Sequence, residues 1–350
     1  VNSVGQVTGV SLSLIAGAPI TVGLTDISGW VGGTVNLNAQ VSNGGQNTTV
    51  AFSYSKNGGS SWTSIGSDNT PEGNSYSLPW DTADLTLETG ILVKAIASDG
   101  AQSSEDQTGP FGIDNAPPDS TVISPTQADW ITQPTIQTHV TASDLVVGLR
   151  GSGVKGVHYR MNSDGWVFSS GDGAHKVPYT LGDGNHKFCA KAEDNAGNIE
   201  DPPTCVSFGI DAAPPDAPAN LRRTSPAIER KPVFQWDGAF DATSGIHSYE
   251  VSLDGSSFQN VDNSTSYEVS SSLSVAQSHR LEVRAIDKAG NTGQTTALDF
   301  VVSPVNSRPV AVAQDVTVES GANISIKLAG TDNETSSENL TFNVTSEPKN

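Results

Sequence analysis

Two cysteines, Cys189 and Cys205, are the only thiols in 350 residues, and they are centred on Gly197, the tip of an Ala-Gly-Asn turn. A hairpin folded at that turn sets the two side chains opposite each other on the outward face of one sheet, the placement a disulfide needs. Closing a loop of about 15 residues is worth about 3 kcal/mol in the chain-entropy treatment. Such a bond implies an oxidising compartment outside the cytoplasm; two free thiols facing one another are the alternative. The second chemistry is metal binding through oxygen. Asp194, Asn195 and Asn198 crowd the same turn, and Asp211 and Asp216 follow the next strand. A turn at one end of a sandwich, with the linker leaving that end, can supply the six to eight oxygens that calcium takes. The alternative is that these Asp and Asn side chains only satisfy backbone groups of the turn. An EF-hand is absent, because Ala196 stands where a ligand belongs. Asp332 and Glu334 form a further candidate near the C-terminal end.

Other chemistry finds no spacing to support it. The six histidines (His139, His158, His175, His186, His247 and His279) make no H-x-x-x-H pair, and there is no C-x-x-C for zinc. Neither a G-x-S-x-G elbow nor a phosphate-binding loop occurs. Glu193 and Asp194 could be drawn as a glycosidase dyad, but the copies of their turn in other repeats lack the second carboxylate. The expectation is a chain that is not an enzyme.

The elements that must position these residues repeat. "FGIDNAPPD" (Phe111–Asp119) returns as "FGIDAAPPD" (Phe208–Asp216) 97 residues later. Upstream, "VKAIASDG", "FCAKAEDNAGN" and "LEVRAIDKAGN" align on Asp99, Asp194 and Asp287. Before each lies a hairpin signature, a Tyr-bearing strand, an Asn/Asp-Gly turn and a returning aromatic: "YSKNGGSSW", "YRMNSDGW" and "YEVSLDGSSF". Alternation points Phe188, Ala190 and Ala192 inward, as it does Val93/Ala95/Ala97 and Leu281/Val283/Ala285. No window carries a helical period. Strands at short intervals in units of about 95 residues predict an all-β chain of tandem β-sandwiches. The paired prolines after each "FGID" hold the linkers extended, which predicts a semi-rigid rod.

Composition agrees. Gly (35) and Pro (19) are plentiful, and the net charge is −20 with only 18 Lys+Arg. A basic stripe for nucleic acid is missing, and so is attraction to anionic membrane surfaces. The longest apolar stretch near the start, Gly9–Ile20, is too short to span a bilayer and lacks the basic region of a signal peptide. The first residue, Val1, and the end in a strand-like pattern suggest an excerpt of a longer chain.

Residues 213–304, with "PPDAPANL", Trp236 in "FQWDG" and "VRAIDKAGN", resemble a fibronectin type III domain. Residues 18–114 and 115–212 resemble immunoglobulin-like domains of bacterial and archaeal surface proteins and adhesins, through their A-x-D-x-A-G-N turn and D-x-x-x-P linker. The first departs from that pattern, with "SDGAQ" at its turn. Residues 305–350 are similar to part of a cadherin-like repeat, and residues 1–17 read as a linker or the end of a preceding domain. The resemblance implies calcium at such junctions, carried here by Asp194 and Asp211 together. It also implies that His186 and His279 stand structurally where related domains place a corner tyrosine.

Two functions fit. One is a structural or adhesive cell-surface protein, a stalk, surface-layer or filament component whose partners are copies of itself or other surface proteins, met through sheet edges. The other is the accessory region of a secreted enzyme acting on polysaccharide or protein, with Trp30, Trp62, Trp80, Trp130, Trp166 and Trp236 available to glycans. Trp62 and Trp236 occupy strand positions expected in the core. N-x-S/T triplets at Asn47, Asn263, Asn323, Asn333, Asn339 and Asn343 leave glycosylation open.

Overall fold

In the computed structural model, residues 17–126, 130–146, 149–319, 321–332 and 335–343 are described. They fall into two compact units. One carries the first two sandwiches as far as Gly209; the other begins at Ile210 and includes Trp130–Pro134 and Gly182–Gly184. Sheets dominate both, and the chain is a tandem array of β-sandwiches.

The first sandwich is built from β1 (Thr21–Leu24), β2 (Trp30–Val31), β3 (Thr34–Ser42), β4 (Thr49–Ser55), β5 (Thr63–Asp68), β6 (Ser75–Asp81), β7 (Leu87–Ser98) and β8 (Ser103–Asp114). Its sheets run β1-β3-β6 and β2-β8-β7-β4-β5. Strict alternation on β7 buries Ile91, Val93, Ala95 and Ala97, while Leu92, Lys94 and Ile96 face outward. In register beside them, Val50 faces Ala97 and Phe52 faces Ala95. Leu37, Ala39, Tyr76 and Trp80 close the core from the other sheet. Truncating a fully buried ring such as Phe52 costs about 3–5 kcal/mol. At the exit of β8, Asn115 fixes the direction of the chain: its Nδ2 donates to the carbonyls of Thr82 (2.7 Å) and Leu85 (3.0 Å), and its Oδ1 accepts from Gly33 N–H.

The second sandwich uses β9 (Asp119–Ser124), β10 (Trp130–Ile131), β11 (Thr135–Ser143), β12 (Leu145–Val146), β13 (Leu149–Arg150), β14 (Val154–Met161), β15 (Val167–Ser170), β16 (His175–Thr180), β17 (Gly184–Asp194) and β18 (Thr204–Ile210). One sheet is β16-β11-β9 and the other contains β18-β17-β14-β15. Phe188, Ala190 and Ala192 form the inward row of β17, opposite Met161, Tyr159 and Val157 of β14. The row does not end on an apolar residue. Its next inward member is Asp194, fully buried.

In the second unit, β19 (Ala219–Arg223), β20 (Val233–Asp237) and β23 (Ser266–Glu268) form one sheet; β21 (Ile246–Leu253), β22 (Gln259–Asn260), β24 (Ser278–Asp287) and β25 (Thr296–Val301) form the other. Phe234, Trp236, Tyr249, Val251, Leu281, Val283 and Ala285 make the core. Here too the inward row Leu281, Val283, Ala285 terminates on a buried aspartate, Asp287. Beyond residue 305, where the sequence resembles part of a cadherin-like repeat, the described residues form few strands. Only β26 (Val310–Ala311) and β27 (Gly330–Thr331) pair, followed by one 3-10 turn at Ser337–Asn339. The alternating residues Val316, Val318, Ile324, Ile326 and Leu328 are exposed, because among the described residues no second sheet covers them.

Candidate metal centres

An inward-facing aspartate at the end of a core row needs partners, and in the first unit it has two more carboxylates. Asp194 ends β17, Asp114 ends β8 of the preceding sandwich, and Asp144 follows β11. One carboxylate oxygen from each lies within 4.8 Å of the others. Their exposures are 0, 0 and 6% for Asp114, Asp194 and Asp144, so water does little to separate the charges. Two unit charges at 4.8 Å repel by about 3 kcal/mol at an effective dielectric of ~20.

Backbone geometry holds the three in place. A bulge at the start of β14, where Val154 faces Asp194 but Gly156 faces Glu193, swings the Gly151-Ser152-Gly153 segment over the sandwich end. Ser152 N–H then donates to Asp114 Oδ2 and Gly153 N–H to Asp144 Oδ2, each at 2.6 Å. Asn198 ties the turn to the incoming linker. Its N–H (2.8 Å) and Nδ2 (2.7 Å) donate to the two oxygens of Asp194, and Nδ2 also reaches the Asp114 carbonyl at 2.9 Å. Asn195 Nδ2 caps the carbonyls of Ser152 and Gly153.

These bonds do not satisfy every buried oxygen. Asp144 Oδ1 is buried without a hydrogen-bond partner. Gly151 passes so close that a Cβ there would lie 2.5 Å from that oxygen and 2.6 Å from Asp114 Oδ2. Among the described residues no Lys, Arg or His forms an ion pair with any of the three. Burial pushes the Asp144 carboxyl above its ordinary range, and the facing charges of Asp114 and Asp194 push it further. Asp194 is also raised, first by burial and then by Asp114, against the opposing bonds from Asn198. Three convergent carboxylates with an orphan oxygen suit a hard divalent cation of the calcium type.

The second unit repeats most of this arrangement. Asp211, Asp241 and Asp287 bring carboxylate oxygens within 4.8 Å of one another. Asn291 donates from N–H and Nδ2 to Asp287, each at 2.8 Å, and from Nδ2 to the Asp211 carbonyl at 2.9 Å. Ser244 N–H donates to Asp211 Oδ2 (3.1 Å) and Gly245 N–H to Asp241 Oδ1 (2.7 Å). The bulge recurs, with Ile246 facing Asp287 but Ser248 facing Ile286. Here the orphan buried atom is Ser244 Oγ. In the first sandwich the equivalent Asp99 is only half-buried. It accepts from Ala101 (2.9 Å) and Gln102 (2.7 Å) of its own turn, and those bonds hold its carboxyl low.

Asp194 and Asp211, expected from sequence to share one ion, therefore belong to different triads. The reason is strand direction. β18 leaves the Asp194 turn and carries the chain seven residues away before Asp211, so the turn closes on the linker that enters its sandwich rather than the one that leaves it. Asn195 and Asn198 lie at the Asp194 site as expected, whereas Asp216 spends its N–H on Phe240. Asp114, Asp144, Asp241 and Asp287 were not expected from sequence as members of these clusters. Ser-Gly before an apolar residue recurs at Ser152–Val154 and Ser244–Ile246, but eight residues separate Asp144 from Ser152 and three separate Asp241 from Ser244, which hides the match. Asp332 Oδ1 accepts Thr335 N–H within its own turn, and Glu334 lies outside the described residues.

The remaining expected residues are also placed. Cys189 and Cys205 form a disulfide across β17 and β18, with Cα atoms 4.1 Å apart. Cys189 is buried rather than open on the outer face. Its register neighbour there is Arg160, which stacks with Lys191 on the Trp166 ring at 4.6 and 4.8 Å. Glu193 and Asp194 point to opposite faces: Glu193 binds Lys155 (2.6 Å) and His158 (2.7 Å), so the two do not converge as a dyad. Trp236 lies in the core against Tyr249, but Trp62 lies on the outer face under Lys94, half-buried. All six tryptophans are buried or half-buried. His279 is buried between Asp254 (2.7 Å) and the Ser274 carbonyl (3.1 Å), and His186 packs on Phe208.

No family model matches the chain, and no curated protein matches it. Solved structures do. The fibronectin(III)-like modules of Clostridium thermocellum CbhA are 17% identical, with 54% of this chain and 94% of that one covered and a TM-score of 0.34. Three N-terminal domains of the bacteriophage RB49 Highly Immunogenic Outer Capsid protein are 10% identical over 82% of this chain and 99% of theirs, at a TM-score of 0.35. The central fibronectin-III array of RIM-binding protein is 15% identical over 58% and 77%, at 0.21. Such distant likenesses carry no function.

Proposed function

We propose that this chain is a non-catalytic, extracellular array of β-sandwich modules, a structural or adhesive component of a cell surface, whose modules are locked by calcium. One observation carries the reading: Asp114, the last residue of the first sandwich, meets Asp144 and Asp194 of the second in a buried cluster whose charge no side-chain cation among the described residues offsets. Calcium bound there would be held by those three carboxylates. It would remove their mutual repulsion and tie the last strand of one module to the turn of the next. Extracellular modules work with affinities of about 10⁻⁴–10⁻³ M, matched to the calcium outside cells. The disulfide supports the same compartment, and among the described residues no helix is long and apolar enough to cross a membrane. Partners are expected at sheet edges. β15 ends its sheet and exposes Val167 and Phe168, which suits pairing with a neighbouring copy.

Equilibrium dialysis of the intact chain against calcium tests this. Binding is expected, with loss of the ion at the first triad in Asp194→Asn. A chain that takes up no calcium at millimolar concentrations would overturn the proposal.

A further inference from the structure

The two triads share most of their backbone hydrogen bonds but not their surroundings. The turn that carries the buried aspartate reads Asp194-Asn195-Ala196-Gly197-Asn198 in one unit and Asp287-Lys288-Ala289-Gly290-Asn291 in the other. Asn195 and Lys288 start from the same place, since each donates its backbone N–H at 2.9 Å to the matching glycine, Gly153 or Gly245. Their side chains then differ in charge. Asn195 is neutral and folds back on the Ser152 and Gly153 carbonyls. The Lys288 ammonium lies 3.6 Å from where a Cβ on Gly245 would be, and the N–H of Gly245 is the one bound to Asp241.

The third carboxylate differs as well. Asp144 is buried, and its Oδ1 has no partner. Asp241 is half-buried, and its Oδ1 already accepts two backbone N–H groups, from Thr243 (3.1 Å) and Gly245 (2.7 Å). The first triad thus has an unmet need for a positive charge. The second meets part of that need from its own loop and keeps a lysine at its rim.

We propose that the two triads are calcium sites of unequal affinity, the Asp114–Asp144–Asp194 site binding more tightly and the Asp211–Asp241–Asp287 site weakened by Lys288. This rests on the calcium reading of the triads and adds an order of filling. As calcium rises, the first unit is loaded first and the second follows over a higher range, so the array responds in two steps. One positive charge roughly 8 Å from a divalent ion weakens binding about sixfold with the screening of bulk water and by more near a protein surface, so a difference of at least about tenfold is expected.

Calorimetric titration of the intact, chelator-stripped chain with calcium chloride tests it. Two classes at least about tenfold apart are expected. Asp144→Asn should remove the tight class and Asp241→Asn the weak one. Lys288→Asn should move the weak class toward the tight one by about tenfold, and Asn195→Lys should weaken the tight class by a similar factor. Both lysine-turn variants keep the backbone bonds, and far-ultraviolet circular dichroism checks that they fold. Two sites of equal affinity, or a weak class that Lys288→Asn leaves unmoved, would overturn the inequality while sparing the calcium reading. No binding at either site would overturn both.

Discussion

Gly151→Ala is a substitution that leaves every carboxylate in place and should still abolish cation binding at the first triad. A Cβ at Gly151 would lie 2.5 Å from Asp144 Oδ1 and 2.6 Å from both Asp114 Oδ2 and Asp144 Oδ2. Ordinary contact between carbon and oxygen needs nearly an ångström more, so the methyl must push the two carboxylates apart. The backbone itself tolerates alanine, since Gly151 is not among the residues with positive φ. The neighbours that must move are side-chain ends, and a less flexible unfolded chain offsets part of the cost by about 0.4–1 kcal/mol. The variant is therefore expected within about 1 kcal/mol of the parent in the presence of chelator. Calcium at a hundred times its Kd stabilises the parent by about 2.7 kcal/mol. For a unit of nearly two hundred residues that corresponds to a rise in Tm of roughly 5–10 °C. Differential scanning calorimetry of parent and variant, each with calcium and with chelator, separates the terms. A calcium-induced shift of the first unit is expected in the parent and almost none in Gly151→Ala. A variant that keeps the full shift would refute the placement of the ion among these oxygens.

Other outcomes follow from the same geometry. Asn198→Ala removes the amide that bridges Asp194 to the Asp114 carbonyl and should destabilise the first unit by about 2–3 kcal/mol, read from urea unfolding. Reduction of Cys189–Cys205 should cost about 3 kcal/mol; unchanged urea midpoints with and without reductant would count against that. His279 offers both ring nitrogens to acceptors, and the bond to Asp254 raises its pKa above the ordinary histidine value. Because the folded pKa is the higher one, its contribution is complete below the unfolded pKa and is lost as pH rises through the folded one. Stability of the second unit should fall over that window, and His279→Gln should flatten the pH profile.

Strand rows were legible in the sequence because burial enforces a period of two: Phe188, Ala190 and Ala192 could be assigned inward without coordinates, and they are buried. The disulfide was legible for a related reason, since symmetry about a turn fixes cross-strand partners. The triads were not. Each joins residues from three distant segments, and which linker meets which turn depends on the direction in which β18 leaves it. Asp144 and Asp241 were hidden further by loops of unequal length before their Ser-Gly pairs. The half-buried position of Trp62 was misjudged because alternation alone does not tell a core face from an outer face covered by a lysine.

On the proposed function, a cation at Asp114, Asp144 and Asp194 fixes the first sandwich to the second. Spin labels at Ser60→Cys and Ser163→Cys, both exposed, place one probe on each sandwich of the first unit. Double electron–electron resonance on the otherwise intact chain then reads the spread of distances between them. A narrow distribution with calcium that broadens on chelation, and stays broad in Asp194→Asn with calcium present, is the predicted result. Equal widths in all three conditions would contradict the account.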